Sequence, residues 1–157
     1  MAIEKLKFNV NICPKTLISK NKKPEFTITI DDKVYIHNTE LGVNSAEDSV
    51  TISFEAELEF GPHVLAFNFL NKDSKTDTQS SQGKILDDLY IQINKVEIDD
   101  IDLSSILSKI ARYDLVAPVQ FNDNMVSTLY NHRFLSWNGA YKIPFETPFY
   151  KWLLDQF

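Results

Sequence analysis

The sequence predicts an all-β fold: an antiparallel β-sandwich, jelly-roll-like, with one short helix and a mixed C-terminal extension. Three observations predict it. Successive segments alternate apolar and polar residues with the period of two that a half-buried strand requires. Aromatic residues are plentiful, with eleven Phe, six Tyr and two Trp against four Gly, a mix suited to sheets packed face to face. Helical periodicity is confined to two short stretches, so the strands must cover one another.

Taken in order, "KLKFNVNI" sets Leu6, Phe8, Val10 and Ile12 on one face and ends near Pro14. "EFTITIDDKVYI" reads as a hairpin turning at Asp31-Asp32, with Phe26, Ile28 and Ile30 on one side. "SVTISFEAELEF" is the longest alternation, from Val50 to Phe60, and Gly61-Pro62 breaks it. "HVLAFNFL" places Leu65, Phe67 and Phe69 toward a core. Leu89, Ile91 and Ile93 then alternate, but Val96 and Ile98 continue on the other parity, which predicts a bulge near Asn94-Lys95.

Beyond residue 102 the pattern changes. "DLSSILSKIARY" predicts a short helix capped by Asp102 or Ser104, with Ile106, Leu107 and Ile110 on one side. Asp114 to Arg133 reads as irregular, and Asn138-Gly139 as the turn of a hairpin. "TPFYKWLLDQF" predicts a terminal helix with Thr147 as cap, Pro148 in the first turn, and Phe149, Trp152 and Leu153 on one face. The expected organisation is one domain, with a sandwich core over 1–102 and an extension over 103–157 packed on it.

At 157 residues, with 43% hydrophobic and 24% charged residues, the chain suits a single substantial core. A net charge of −6 argues against a nucleic-acid or anionic-membrane partner, the local lysines Lys20, Lys22 and Lys23 aside. The lone Cys13 excludes an internal disulfide framework and a cysteine zinc cluster. No segment has the apolar length of a signal peptide or a membrane span, so the expectation is a soluble protein made in the cytosol.

Two regions invite a function. The loop "NKDSKTDTQSSQGKILDD" joins two strong strands and carries Asn71, Asp73, Asp77, Asp87 and Asp88 near its two ends. Hard cations such as Ca²⁺ are bound by six to eight such oxygens on irregular backbone. The alternative is a polar surface loop with no ligand. The second region packs Trp137, Tyr141, Phe145, Phe149, Tyr150, Trp152 and Phe157 into "SWNGAYKIPFETPFYKWLLDQF". These aromatics serve either as a cover closing the sandwich or as an interface to neighbouring subunits. The stripe Glu55, Glu57, Glu59 reads as a solvated sheet face. His37, His63 and His132 lack metal-ligand spacing, and no nucleophile or phosphate-loop motif is present. No enzymatic role is expected.

Residues 26–100 resemble the calcium-dependent xylan-binding type of carbohydrate-binding module, a small β-sandwich. "FGPHVLAFNFLNKD" and "DDLYIQINKVEIDD" carry the likeness, through His63, Leu65, Phe67, Phe69, Asn71, Leu89, Tyr90 and Ile98. Lys72 displaces the loop carboxylate to Asp73, and Leu86 stands at the family's first acidic position. The resemblance implies calcium at the loop and a polysaccharide ligand. The ending, W-N-G followed by P-x-Y-x-W-L, is similar to small virion proteins of tailed bacteriophages. On that likeness the expected role is a non-enzymatic structural or interaction protein of a phage particle, with Trp137, Tyr141, Phe149, Tyr150, Trp152 and Phe157 facing other subunits. The alternative is a calcium-dependent carbohydrate-binding module.

Overall fold

The alternating segments form the strands of two facing sheets. The computed structural model describes residues 2–157. In chain order the elements are β1 (Ile3–Lys15), β2 (Phe26–Ile30), β3 (Lys33–Asn38), β4 (Val50–Glu59), β5 (Gly61–Phe69), β6 (Thr78–Ser81), β7 (Lys84–Asp88) and β8 (Tyr90–Ile98). There follow β9 (Ile101–Asp102), α1 (Ser104–Ile110), β10 (Arg112–Phe121), β11 (Asn124–Tyr130), β12 (Phe134–Leu135), β13 (Gly139–Thr147) and α2 (Phe149–Leu154). One sheet runs β12-β8-β1-β4 with β9 on β8, and the other runs β11-β10-β13-β5-β2-β3. The β6–β7 hairpin pairs with neither. All these strand pairs are antiparallel. The fold is an all-β sandwich with short helices; among the described residues no helix is long and apolar enough to cross a membrane.

The apolar face of each strand supplies the space between the sheets. Leu6, Phe8, Val10 and Ile12 of β1 are fully buried against Leu65, Phe67, Ile143 and Phe145 of the opposite sheet's strands. Phe8 joins the layers directly, stacking on Phe54 at 5.0 Å and meeting the edge of Phe145 at 6.1 Å. Tyr35 of β3 stacks on Phe54 at 5.4 Å and covers one open side of the sandwich.

Three of the four hairpin turns use Asp or Asn at both positions where glycine is the usual solution, and the fourth is Gln82-Gly83. Asp31-Asp32, Gln82-Gly83, Asp99-Asp100 and Asn122-Asp123 all have positive φ at both residues, the condition of the tight hairpin turn that matches strand twist. Short polar side chains tolerate this conformation because they hydrogen-bond locally. The bulge falls at Asn94: Asn11 pairs with Lys95, and Ile12 with Ile93, so the side chains of Val96 and Ile98 return to the core.

The region beyond residue 102 requires three corrections. Asp114 to Arg133 is not irregular, since it contains most of the β10–β11 hairpin and the start of β12. Asn138-Gly139 is not a turn: Gly139 opens β13, which pairs with β5 from Gly139↔Phe69 to Thr147↔Gly61. The helix caps also differ. Position 103 is Leu at the start of α1, although Asp102 accepts the Ser104 N–H at 2.8 Å. The first free N–H of α2, that of Phe149, donates to Glu4 of β1 at 2.8 Å, while the Thr147 hydroxyl donates to the Glu59 carbonyl. Residues 103–157 are therefore woven into the sandwich, with β13 inside the six-stranded sheet and β12 on the other.

Candidate functional site

The 71–88 loop leaves β5, folds into the β6–β7 hairpin, and rejoins the sandwich at β8. Each of its oxygen donors is tied to a protein group. Asn71 accepts the Glu25 N–H at 2.8 Å and donates to the Lys23 carbonyl at 2.9 Å. Asp77 is fully buried, with Lys20 Nζ at 3.2 Å, Lys22 Nζ in contact, and the Asp73 N–H donating to it at 2.9 Å. Asp73 caps its own turn through the Lys75 N–H at 2.9 Å. Asp87 accepts the N–H groups of Ile18 and Ser19 at 3.1 and 2.8 Å, with Lys15 Nζ 3.8 Å away. Asp88 is buried with Lys72, whose ammonium lies 2.5 Å from Asp88 Oδ1 and donates to the Leu89 carbonyl at 2.6 Å.

Asp73 and Asp77 thus share one turn while Asn71, Asp87 and Asp88 are tied to other groups, and the positive charge beside the carboxylates is lysine. Among the described residues no group of three or more His, Cys, Asp or Glu is gathered as a metal ion needs. Lys15, Lys20, Lys22 and Lys72 are the partners that reading the loop alone misses. The signal was present in the lysine run at 20–23, but nothing in one sequence says that it folds onto residue 77.

These ties have a measurable acid signature. Burial alone would raise the Asp77 carboxyl, but Lys22, the Asp73 N–H and Lys20 outweigh it and hold it at about 2. A depressed folded value means the stabilisation is complete above the unfolded value of 3.8 and is lost as pH falls toward 2. The expected loss from this group is about 2 kcal/mol. Denaturant titrations from pH 5 to 2 should show a shallower stability slope for Asp77→Asn than for wild type. Equal slopes would remove the carboxylate from this role.

Beside the loop lies a groove floored by Trp137. Two cavities of about 310 and 340 Å³ share Ser74 and Trp137 in their linings. One is walled by Thr78, Ile85, Phe134 and Ser136, the other by Val116, Ala117, Pro118 and Val119. Trp137 is held rigidly. The buried Tyr113 hydroxyl accepts the Trp137 N–H at 3.0 Å and donates to the Trp137 carbonyl. Burial pushes that hydroxyl above its ordinary range, so it remains protonated and able to donate. Asn138 next to it accepts the Lys72 N–H at 2.7 Å and donates to the Lys72 carbonyl at 2.8 Å. His132 stacks between the Tyr113 and Trp137 rings, at 6.0 and 6.3 Å, and burial pushes its imidazole down.

A third arrangement looks catalytic in outline and is structural in geometry. His63 Nδ1 lies 2.5 Å from Asp31 Oδ2, and its Nε2 faces the Thr147 hydroxyl at 3.4 Å. An acid–imidazole–hydroxyl line activates a nucleophile only if the hydroxyl is reachable and donates to the imidazole. Here Nε2 sits closer to the Glu59 carbonyl, at 2.7 Å, and the buried Thr147 hydroxyl donates to that same carbonyl. His63 clamps the Asp31 turn to the β4–β5 junction.

The C-terminal aromatics divide into two sets. Tyr141 and Phe149 are buried in the core, and Trp152 packs on Phe145 at 6.5 Å. That corrects their assignment to an outward interface, because β13 and α2 form part of the sandwich wall. Trp137 is half-buried at the groove, while Tyr150 and Phe157 are 52% and 80% exposed. Set against known proteins, the chain matches no family model, no curated protein and no solved structure.

Proposed function

We propose that the protein is a non-enzymatic structural or interaction subunit that meets neighbouring protein subunits through the outward face of α2. The carrying observation is that α2 exposes an apolar row beside Lys151 in addition to the apolar face it turns to the core. Phe149, Trp152 and Leu153 face the core, while Tyr150, Leu154 and Phe157 in and after the helix are 52%, 74% and 80% exposed. Exposed apolar groups gathered in one patch mark interaction surfaces. Exposed Ile3 and Phe60 lie at the same end, since β1 contacts α2 through Glu4 and the Phe60 N–H donates to the Ala2 carbonyl. The likeness of the ending to tailed-phage virion proteins supports a particle component as the finer form of this reading.

The test is self-association. Wild type is expected to form oligomers at micromolar concentration in analytical ultracentrifugation. Tyr150→Ser/Leu154→Ser/Phe157→Ser is expected to be monomeric with little change in melting temperature, because those side chains are already exposed. A wild type that stays monomeric, or a triple variant that still associates, defeats the proposal. A second reading, calcium-dependent polysaccharide binding, draws on the aromatic floor at Trp137, against which a sugar ring can stack. A melting temperature raised by Ca²⁺ together with calcium-requiring binding on a glycan array would favour it over assembly.

A further inference from the structure

We propose that the Trp137 groove is a docking site for an extended, uncharged polypeptide segment of a partner protein, with apolar side chains at alternate positions. This goes beyond the α2 surface and uses different residues.

The β-ladder beside the groove is interrupted. Between Asp114↔Thr128 and Val119↔Val126, the four residues Leu115–Pro118 of β10 face the single residue Ser127 of β11. On the other side the β10–β13 register stops at Leu115↔Gly139, followed by the Val116 N–H donating to the Asn138 carbonyl at 3.0 Å. Ala117 has no cross-strand partner in either register. A residue outside the ladder carries an N–H and a C=O that an incoming strand can engage as an antiparallel hydrogen-bonded pair.

Charge selects the same occupant. Lys72 and Asp88 neutralise each other at the groove floor, the Thr78 hydroxyl also donates to Asp88 at 2.7 Å, and the Asn138 amide is spent on the backbone of Lys72. Lys72 is the one cationic side chain lining the two cavities, and its pairing with Asp88 leaves the lining with no counter-charge to offer a phosphate, a carboxylate or a nucleic acid. A sugar would find Ser74 and Ser136 but no free planar polar side chain. An uncharged segment complements a groove whose charges are already paired, and gains by covering Ile85, Phe134, Trp137 and Val116.

Shape completes the match. Alternate residues of a strand project to one face, so side chains i and i+2 would enter the two cavities on either side of Trp137. The Trp137 backbone is fixed before binding, which lowers the ordering cost.

The probe is a library of N-acetylated, C-amidated hexapeptides screened on the full chain, with affinities measured by fluorescence polarisation. Selected peptides are expected to be uncharged and apolar at i and i+2. Methylating the amide between those positions is expected to weaken binding about tenfold, as is Trp137→Ala. Val116→Ser is expected to weaken it severalfold, and this exposed position is safe for folding should the Trp137 variant not fold. The α2 triple variant should bind like wild type, so failure of one proposal does not imply failure of the other. The docking proposal is overturned if no peptide is selected, if selected peptides are charged, or if binding ignores amide methylation and Val116→Ser. Binding of neutral oligosaccharides in place of peptides, lost in Trp137→Ala, overturns it equally.

Discussion

Lys72→Met is expected to destabilise the protein by about 3–5 kcal/mol, the range for removing one partner of a buried ion pair. Lys72 is 6% exposed, and its ammonium serves both the Asp88 carboxylate and the Leu89 carbonyl. Without it, a buried carboxylate keeps only the Thr78 hydroxyl as a side-chain donor and the Leu89 carbonyl loses its ammonium donor. The size of the effect comes from the stranded charge more than from the attraction that is lost. Lys72→Met/Asp88→Leu should therefore recover much of the stability, giving strongly non-additive energies in a double-mutant cycle by urea denaturation. A single variant within 1 kcal/mol of wild type, or a double variant no better than the single, would show that the pair is well hydrated in solution.

Gly139→Ala is expected to cost about 2–3 kcal/mol by overpacking. A Cβ there would stand 2.4 Å from the Asp114 carbonyl oxygen and 3.0 Å from Leu115 Cα. Both are backbone atoms of β10, so no rotamer change relieves the contact and the strand itself must move. The order of substitutions separates this cause from a turn. A turn glycine at positive φ tolerates Asn better than Ala. A glycine required for close approach tolerates the larger Asn less well. Gly139→Asn should be the less stable variant in the same denaturation assay, with faster amide exchange across β10. The reverse order would restore the turn reading.

Those two residues also show where sequence reasoning stops. Strands β1, β2, β4, β5 and β8 were legible because core-facing apolar residues recur at every second position along each, on either side of the parity change in β8, even where neighbours also cover outward positions such as Thr29 and Ala66. The extra residue at Asn94 was legible too, as a change of parity. β10 was not, because four residues facing one destroy its period midway and Pro118 falls in the gap. Asn138-Gly139 misled because the same pair that makes the best tight turn also fits where two backbones crowd. The loop carboxylates were legible as residues but not as a site. Lys20 and Lys22 reach Asp77 from more than fifty residues away, and a contact at that separation leaves no local pattern.

The place of β13 bears on how the chain reaches its fold. Its partners β5 and β10 both precede it in sequence, and it lies between them in the sheet. While the chain is being synthesised, a strand-wide gap must persist between them, with Phe67, Phe69 and Tyr113 lacking the cover that Tyr141, Ile143 and Phe145 later provide. Pairings this distant make folding slow and leave sheet edges open to other chains in the interval. The six-stranded sheet can therefore be completed only once residues 139–147 are available to stand between β5 and β10.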